Sequence, residues 1–83
     1  MGNTTIATNE LARYHLEVAE YYFNKKAYVS AINRANLIVT DFDGTTVLRE
    51  AINIMILSYR ALNIPELEKN SVNLLNINFS SIK

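Results

Sequence analysis

Asp41 and Asp43 stand two apart in Asp41-Phe42-Asp43-Gly44-Thr45, directly behind the apolar run Leu37-Ile38-Val39. Carboxylates at that spacing can share a hard cation, and one can attack phosphorus while the other moves a proton. Elsewhere the chain offers little for chemistry. His15 is the only histidine and there is no cysteine, and a lone imidazole does not make a metal site. On the inner face of a helix, His15 is expected to pack and not to catalyse.

Residues 37–48, Leu-Ile-Val-Thr-Asp-Phe-Asp-Gly-Thr-Thr-Val-Leu, resemble the first motif of the haloacid-dehalogenase-like phosphatases. The resemblance implies Asp41 as nucleophile, Asp43 as acid and base, and both as Mg²⁺ ligands. The rest of the chain does not support it. The apolar residues before Asp41 continue a helical period that starts at Tyr28, whereas the motif needs a strand there. No Asp follows Asp43, and Glu50, Glu66 and Glu68 are never adjacent. The roughly 40 residues that remain are too few for a doubly wound sheet. The preferred reading is a helix end and a loop, with Gly44 supplying a turn and Thr45 or Thr46 capping the next helix. No catalytic residue, metal ligand or cofactor is therefore expected, and the phosphatase remains the alternative.

The elements around the motif are helical by spacing. In residues 9–25, Leu11, His15, Val18, Ala19 and Tyr22 share one face, with Asn9 as cap. In 27–42, Tyr28, Ala31, Ile32, Ala35, Ile38, Val39 and Phe42 recur at steps of three or four. A third helix over 46–62 puts Leu48, Ala51, Ile52, Met55, Tyr59 and Leu62 on one face, and Ile54, Ile56 and Leu57 widen it. Asn63 suits a left-handed stop and Pro65 a first helical turn. A fourth helix over 65–78 buries Leu67, Ser71, Leu74, Leu75 and Asn78.

Shifting the chain by about 37 residues superposes Leu11 on Leu48, Val18 on Met55, Tyr22 on Tyr59, Leu37 on Leu74, Ile38 on Leu75 and Phe42 on Phe79. Two copies of a helix hairpin explain this. The predicted fold is all-α, two tetratricopeptide-like hairpins stacked as an α-solenoid fragment. Residues 9–79 form the domain, 1–8 a disordered tail and 80–83 a frayed end. Hairpins of this kind hold proteins and are stable in numbers above two.

Charge and length narrow the partners. Eight basic and eight acidic residues leave no net charge, so no field gathers nucleic acid or anionic lipid. No run of 18 apolar residues exists, so direct membrane insertion is not expected. That leaves a protein partner. Arg34, between Ile32 and Ala35, can lay its stem on apolar surface and reach out with a guanidinium suited to carboxylates. Tyr14 and Tyr21 fall off the main stripe on one side of the first helix, open to a neighbouring repeat or partner.

Glu10-Leu-Ala-Arg-Tyr-His-Leu-Glu-Val-Ala-Glu-Tyr-Tyr-Phe and Ala27-Tyr-Val-Ser-Ala-Ile-Asn-Arg-Ala resemble the C-terminal tetratricopeptide repeats of the BamD lipoprotein family. The likeness continues through Arg49-Glu-Ala-Ile-Asn-Ile-Met and Ser58-Tyr-Arg-Ala-Leu. It implies a scaffold on the periplasmic face of the outer membrane. Such a scaffold would dock on the periplasmic domains of the barrel-forming subunit and on accessory lipoproteins during β-barrel assembly. Arg34 matches the Arg of the family's Asn-Arg pair that faces the main subunit, and Lys26 a basic position at the hairpin turn. The start of the chain has no signal-peptide pattern, and no Cys can carry a lipid. The expectation is therefore a fragment without its own anchor. A helical-repeat adaptor with another partner is the second alternative.

Overall fold

The computed structural model describes residues 4–79, with side-chain surroundings from Thr8 onward. Four helices follow in order: α1 (Thr4–Asn24), α2 (Tyr28–Asp41), α3 (Leu48–Ala61) and α4 (Pro65–Phe79). The described residues contain no strand. Sequence neighbours pack side by side, and α1 also touches α3. The result is a slab of 44 × 35 × 15 Å, two all-α hairpins laid against each other.

The two hairpins turn in the same way. Lys26 (φ 64°) and Asn63 (φ 60°) adopt the left-handed conformation. At the first turn the Lys26 and Ala27 N–H groups donate to the carbonyls of Phe23 and Tyr22, both at 2.9 Å. At the second, Asn63 and Ile64 donate to Arg60 and Tyr59, both at 3.0 Å. Each pair satisfies two orphan carbonyls of a helix end in a Schellman motif. Every residue of the second motif lies about 37 positions after its counterpart in the first, so the repeat is one of backbone geometry as well as of residue type. Asn63 is the left-handed stop its residue type predicts, and Pro65 opens α4.

Small residues set the helix spacing. Ala12, Ala19, Ala31, Ala35 and Ala51 are all fully buried, so the backbones approach closely over them. One cluster joins these to Leu16, Ile38, Val47, Ile54 and Met55, with Tyr22, Phe23 and Phe42 packed around it. A second joins Leu48, Ile52 and Ile56 to Val72, Leu74 and Leu75 of α4. α2 buries Ala31, Ile32, Ala35 and Ile38 as its spacing predicts. α3 buries residues on most of its circumference because hairpin neighbours flank it on two sides.

The structure corrects several details. α1 begins at Thr4, so the tail expected over 1–8 is helical from Thr4; residues 1–3 and 80–83 lie outside the described residues. Asn9 is therefore inside α1 and not its cap. Its Oδ1 accepts the Thr46 N–H at 3.2 Å instead, serving the approach to α3. Of the predicted α1 stripe Ala19 is fully buried, but the other core positions are Ala12 and Leu16, one position round from Leu11 and His15, and Leu11 is 48% exposed. α1 carries two adjacent apolar stripes, and the one with Ala12 and Ala19 is buried because these small side chains admit a close neighbour. α3 starts at Leu48, after Val47, with no side-chain cap; the Thr45 hydroxyl donates to the Phe42 carbonyl at 2.6 Å. Gly44 has no positive φ, and a Cβ there would meet nothing within 4 Å, so the turn does not require glycine. Leu57 of α3 is exposed, and so are Leu67 and Asn78 of α4, whose outer side no described helix covers.

Candidate functional site

An antiparallel hairpin brings together residues placed at comparable distances on either side of its turn. His15 and Arg34 are such a pair about Lys25–Lys26. Arg34 Nη1 donates to His15 Nδ1 at 2.9 Å. A guanidinium has only donors, so the imidazole accepts on Nδ1 and carries its proton on Nε2. Phe42 lies 5.5 Å from the His15 ring, tilted by 39°, and Tyr14 meets it edge-on at 5.4 Å. Burial lowers the His15 pKa most, and the Arg34 charge lowers it further; Asp41 pulls the other way. His15 is thus neutral at pH 7 and acts as a prop for the guanidinium.

The guanidinium so held borders an open groove with Tyr22, Ser30, Asn33 and Leu37. Arginine has five N–H donors in a planar fork, and His15 engages one of its nitrogens. The groove therefore presents charge-assisted donors beside the Ser30 hydroxyl, the Asn33 amide and the side chains of Tyr22 and Leu37. This suits a carboxylate of a protein, which a guanidinium can bind in two-pronged fashion.

None of the other predicted residues lines this groove. Tyr14 and Tyr21 are 55% and 58% exposed on the outer side of α1. Tyr14 connects to Arg34 through His15. Tyr21 meets Tyr22 edge-on at 5.6 Å and carries Lys25 Nζ at 5.5 Å from its ring centre. Lys26 is exposed on the turn and lines no part of the groove. Sequence reasoning did not foresee His15 as the partner of Arg34, nor Ser30 and Asn33 as its neighbours. The available signal was that His15 and Arg34 lie at comparable distances, ten and eight positions, on either side of the Lys-Lys turn.

The Asp-x-Asp-Gly-Thr motif is a helix end. Leu37–Thr40 lies within α2, and Asp41 is its last residue. The strand that the phosphatase reading needs is not there. Asp41 and Asp43 are exposed beside a cavity shared with Asn9, Phe42 and Thr45. Among the described residues no three His, Cys, Asp or Glu side chains are grouped to hold a metal. No helix among them is long and apolar enough to cross a membrane.

Known proteins resemble the chain over this whole region. A family described as outer membrane lipoprotein, YfiO, matches residues 3–74. The outer membrane protein assembly factor BamD of Neisseria gonorrhoeae is 34% identical over 64 residues, 77% of this chain and 24% of that protein. BamD of Neisseria meningitidis serogroup B gives the same identity and coverage. BamD of Vibrio cholerae is 27% identical over 70 residues, 84% of this chain and 29% of that protein. The chain thus spans about a quarter of the length of these relatives. With two repeat hairpins in the region matched, this chain belongs to the YfiO family of outer membrane lipoproteins.

Proposed function

We propose that the chain is a non-catalytic scaffold that holds another protein during assembly of outer membrane β-barrels. The observation that carries this is the Arg34 guanidinium, propped by His15 at 2.9 Å over the groove of Tyr22, Ser30, Asn33 and Leu37. A charge held in place by a neutral neighbour loses little freedom on meeting an acidic partner, which is what makes Arg an effective interface anchor. Lys26 on the adjoining turn adds a second positive charge. Tyr14 and Tyr21 offer a further, aromatic face to a protein neighbour. The relatives are named as outer membrane protein assembly factors. By that kinship the partner is the periplasmic region of the barrel-forming subunit, with accessory lipoproteins beside it, and the place is the periplasmic face of the outer membrane.

The test is titration calorimetry of the purified chain with the periplasmic region of a barrel-forming outer membrane subunit. Arg34→Glu is expected to weaken binding by about tenfold or more, which is about 1.4 kcal/mol. Lys69→Glu, an exposed change on α4, leaves it unaltered. Equal affinity for the Arg34 variant and the parent chain removes Arg34 from the interface. Absence of binding by the parent, with capture of a different partner, replaces this reading with that of a helical-repeat adaptor.

A further inference from the structure

We infer that His15 is a proton-operated latch on Arg34: neutral, it holds the guanidinium over the groove, and protonated, it lets the guanidinium go. The chain then binds an acidic partner more weakly in mildly acidic surroundings. This rests on the reading of Arg34 as the interface anchor and adds a control to it. Arg34 Nη1 donates to His15 Nδ1 at 2.9 Å, and a guanidinium has donors only. The hydrogen bond therefore exists only while Nδ1 keeps its lone pair. A proton on that atom turns it into a donor, and two donors and two positive charges then face each other. Among the described residues no carboxylate stands within ion-pair distance of Arg34, so no second partner keeps it in place. His15 is the only histidine of the chain, and histidine is the side chain whose charge ordinarily changes between about pH 5 and 8.

The surroundings of the ring set where the latch opens. Tyr14 of α1 meets it edge-on at 5.4 Å, and Phe42, at the end of α2, lies 5.5 Å away. The charged groups that act on it both belong to α2: Arg34 opposes its protonation and Asp41 favours it. Arg13 and Glu17 on α1, and Arg49 and Glu50 on α3, are exposed. Burial and Arg34 together outweigh Asp41 and hold the pKa below 6.5, so release falls on the acid side of that value. The direction of the binding effect follows from what each state can relieve. In the free chain a protonated pair relieves its repulsion by turning Arg34 outward along the open groove. In the complex the partner's carboxylate fixes the guanidinium, which cannot turn away. That carboxylate takes the edge His15 leaves free, so it lies farther from the ring than the guanidinium does and offsets only part of the repulsion. Protonation is thus better tolerated in the free chain than in the complex, and linkage makes this weaker binding as pH falls.

Two measurements on the whole chain test this. The first is an NMR acid titration of the chain alone, following the His15 ring nitrogens and the Arg34 guanidinium. At about pH 7.5 the ring is expected with its proton on Nε2, and on acidification the Arg34 signals are expected to shift with the same midpoint as His15. Arg34 signals that ignore the His15 titration overturn the inference. The second is titration calorimetry with the periplasmic region of a barrel-forming outer membrane subunit, at about pH 7.5 and about pH 5. The parent chain is expected to lose about tenfold in affinity between them, the worth of one hydrogen bond to a charged group. His15→Gln, whose amide oxygen accepts from Arg34 and does not titrate, is expected to change by less than about twofold. If that variant does not fold, His15→Phe takes its place, with binding as weak at both pH values as the parent's in acid. Equal affinity of the parent at the two pH values, tighter binding in acid, or the parent's full loss repeated in His15→Gln overturns the inference. No binding by the parent at either pH refutes the Arg34 interface itself, and the NMR titration then decides the latch alone.

Discussion

The two left-handed turns make a controlled experiment inside one chain. Lys26 and Asn63 occupy equivalent Schellman positions at φ 64° and 60°, yet their side chains tolerate that region differently. An ordinary L-residue there incurs about 1–2 kcal/mol of steric strain, whereas Asn is among the residues that visit it routinely. Glycine removes the strain, but its freer unfolded chain returns about 0.4–1 kcal/mol of the gain. Lys26→Gly should therefore stabilise the fold by about 0.5–1 kcal/mol, and Asn63→Gly by a few tenths at most. In a domain of this size about 1 kcal/mol moves Tm by about 4–8 °C, so circular-dichroism melts resolve the difference. The hydrogen bonds at both turns run between backbone groups, so neither change removes them. Destabilisation by Lys26→Gly, or equal shifts at the two sites, would refute the twin-turn geometry.

Further expected outcomes concern the core and the site. Ile38→Ala empties a fully buried position and should cost about 2–5 kcal/mol, a large part of the roughly 4–12 kcal/mol available to such a chain; Leu57→Ala, 43% exposed, should cost under about 1 kcal/mol in the same urea titration. Ser58 Oγ is buried without a hydrogen-bond partner, so Ser58→Ala should raise stability by about 1 kcal/mol, and a loss on thermal melting would show that the hydroxyl is satisfied. The folded-state pKa of His15 lies below 6.5, so the unfolded chain takes up the proton first as pH falls. Stability is then full above that value and declines as pH drops from it toward the lowered pKa. His15→Gln should flatten that decline in denaturation curves, and an unchanged pH dependence would place its cause elsewhere.

The fold was largely legible in the residues. Ala31, Ile32, Ala35 and Ile38 announce α2 because one face is uninterrupted, and the repeat shift pairs Tyr22 with Tyr59, each of which accepts a Schellman hydrogen bond. What stayed hidden was decided by neighbours and not by spacing. α1 has two apolar stripes, and only the close approach of α2 and α3 selects Ala12, Leu16 and Ala19 over Leu11. Asn9 has the right chemistry for a cap but caps across space, on Thr46. Arg34 was visible as a reachable charge, whereas its hydrogen bond to His15 depends on how the hairpin closes. The Asp41–Thr45 motif shows the reverse case, in which a local pattern suggests chemistry that the helix leading into it does not permit.

The most direct measurement is NMR of the labelled chain titrated with the periplasmic region of a barrel-forming outer membrane subunit. The account predicts helical shifts through Leu37–Asp41 throughout, and perturbations gathered on Tyr22, Ser30, Asn33, Arg34 and Leu37. Extended shifts over Leu37–Thr40, or perturbations confined to the Asp41–Thr45 loop, would contradict it.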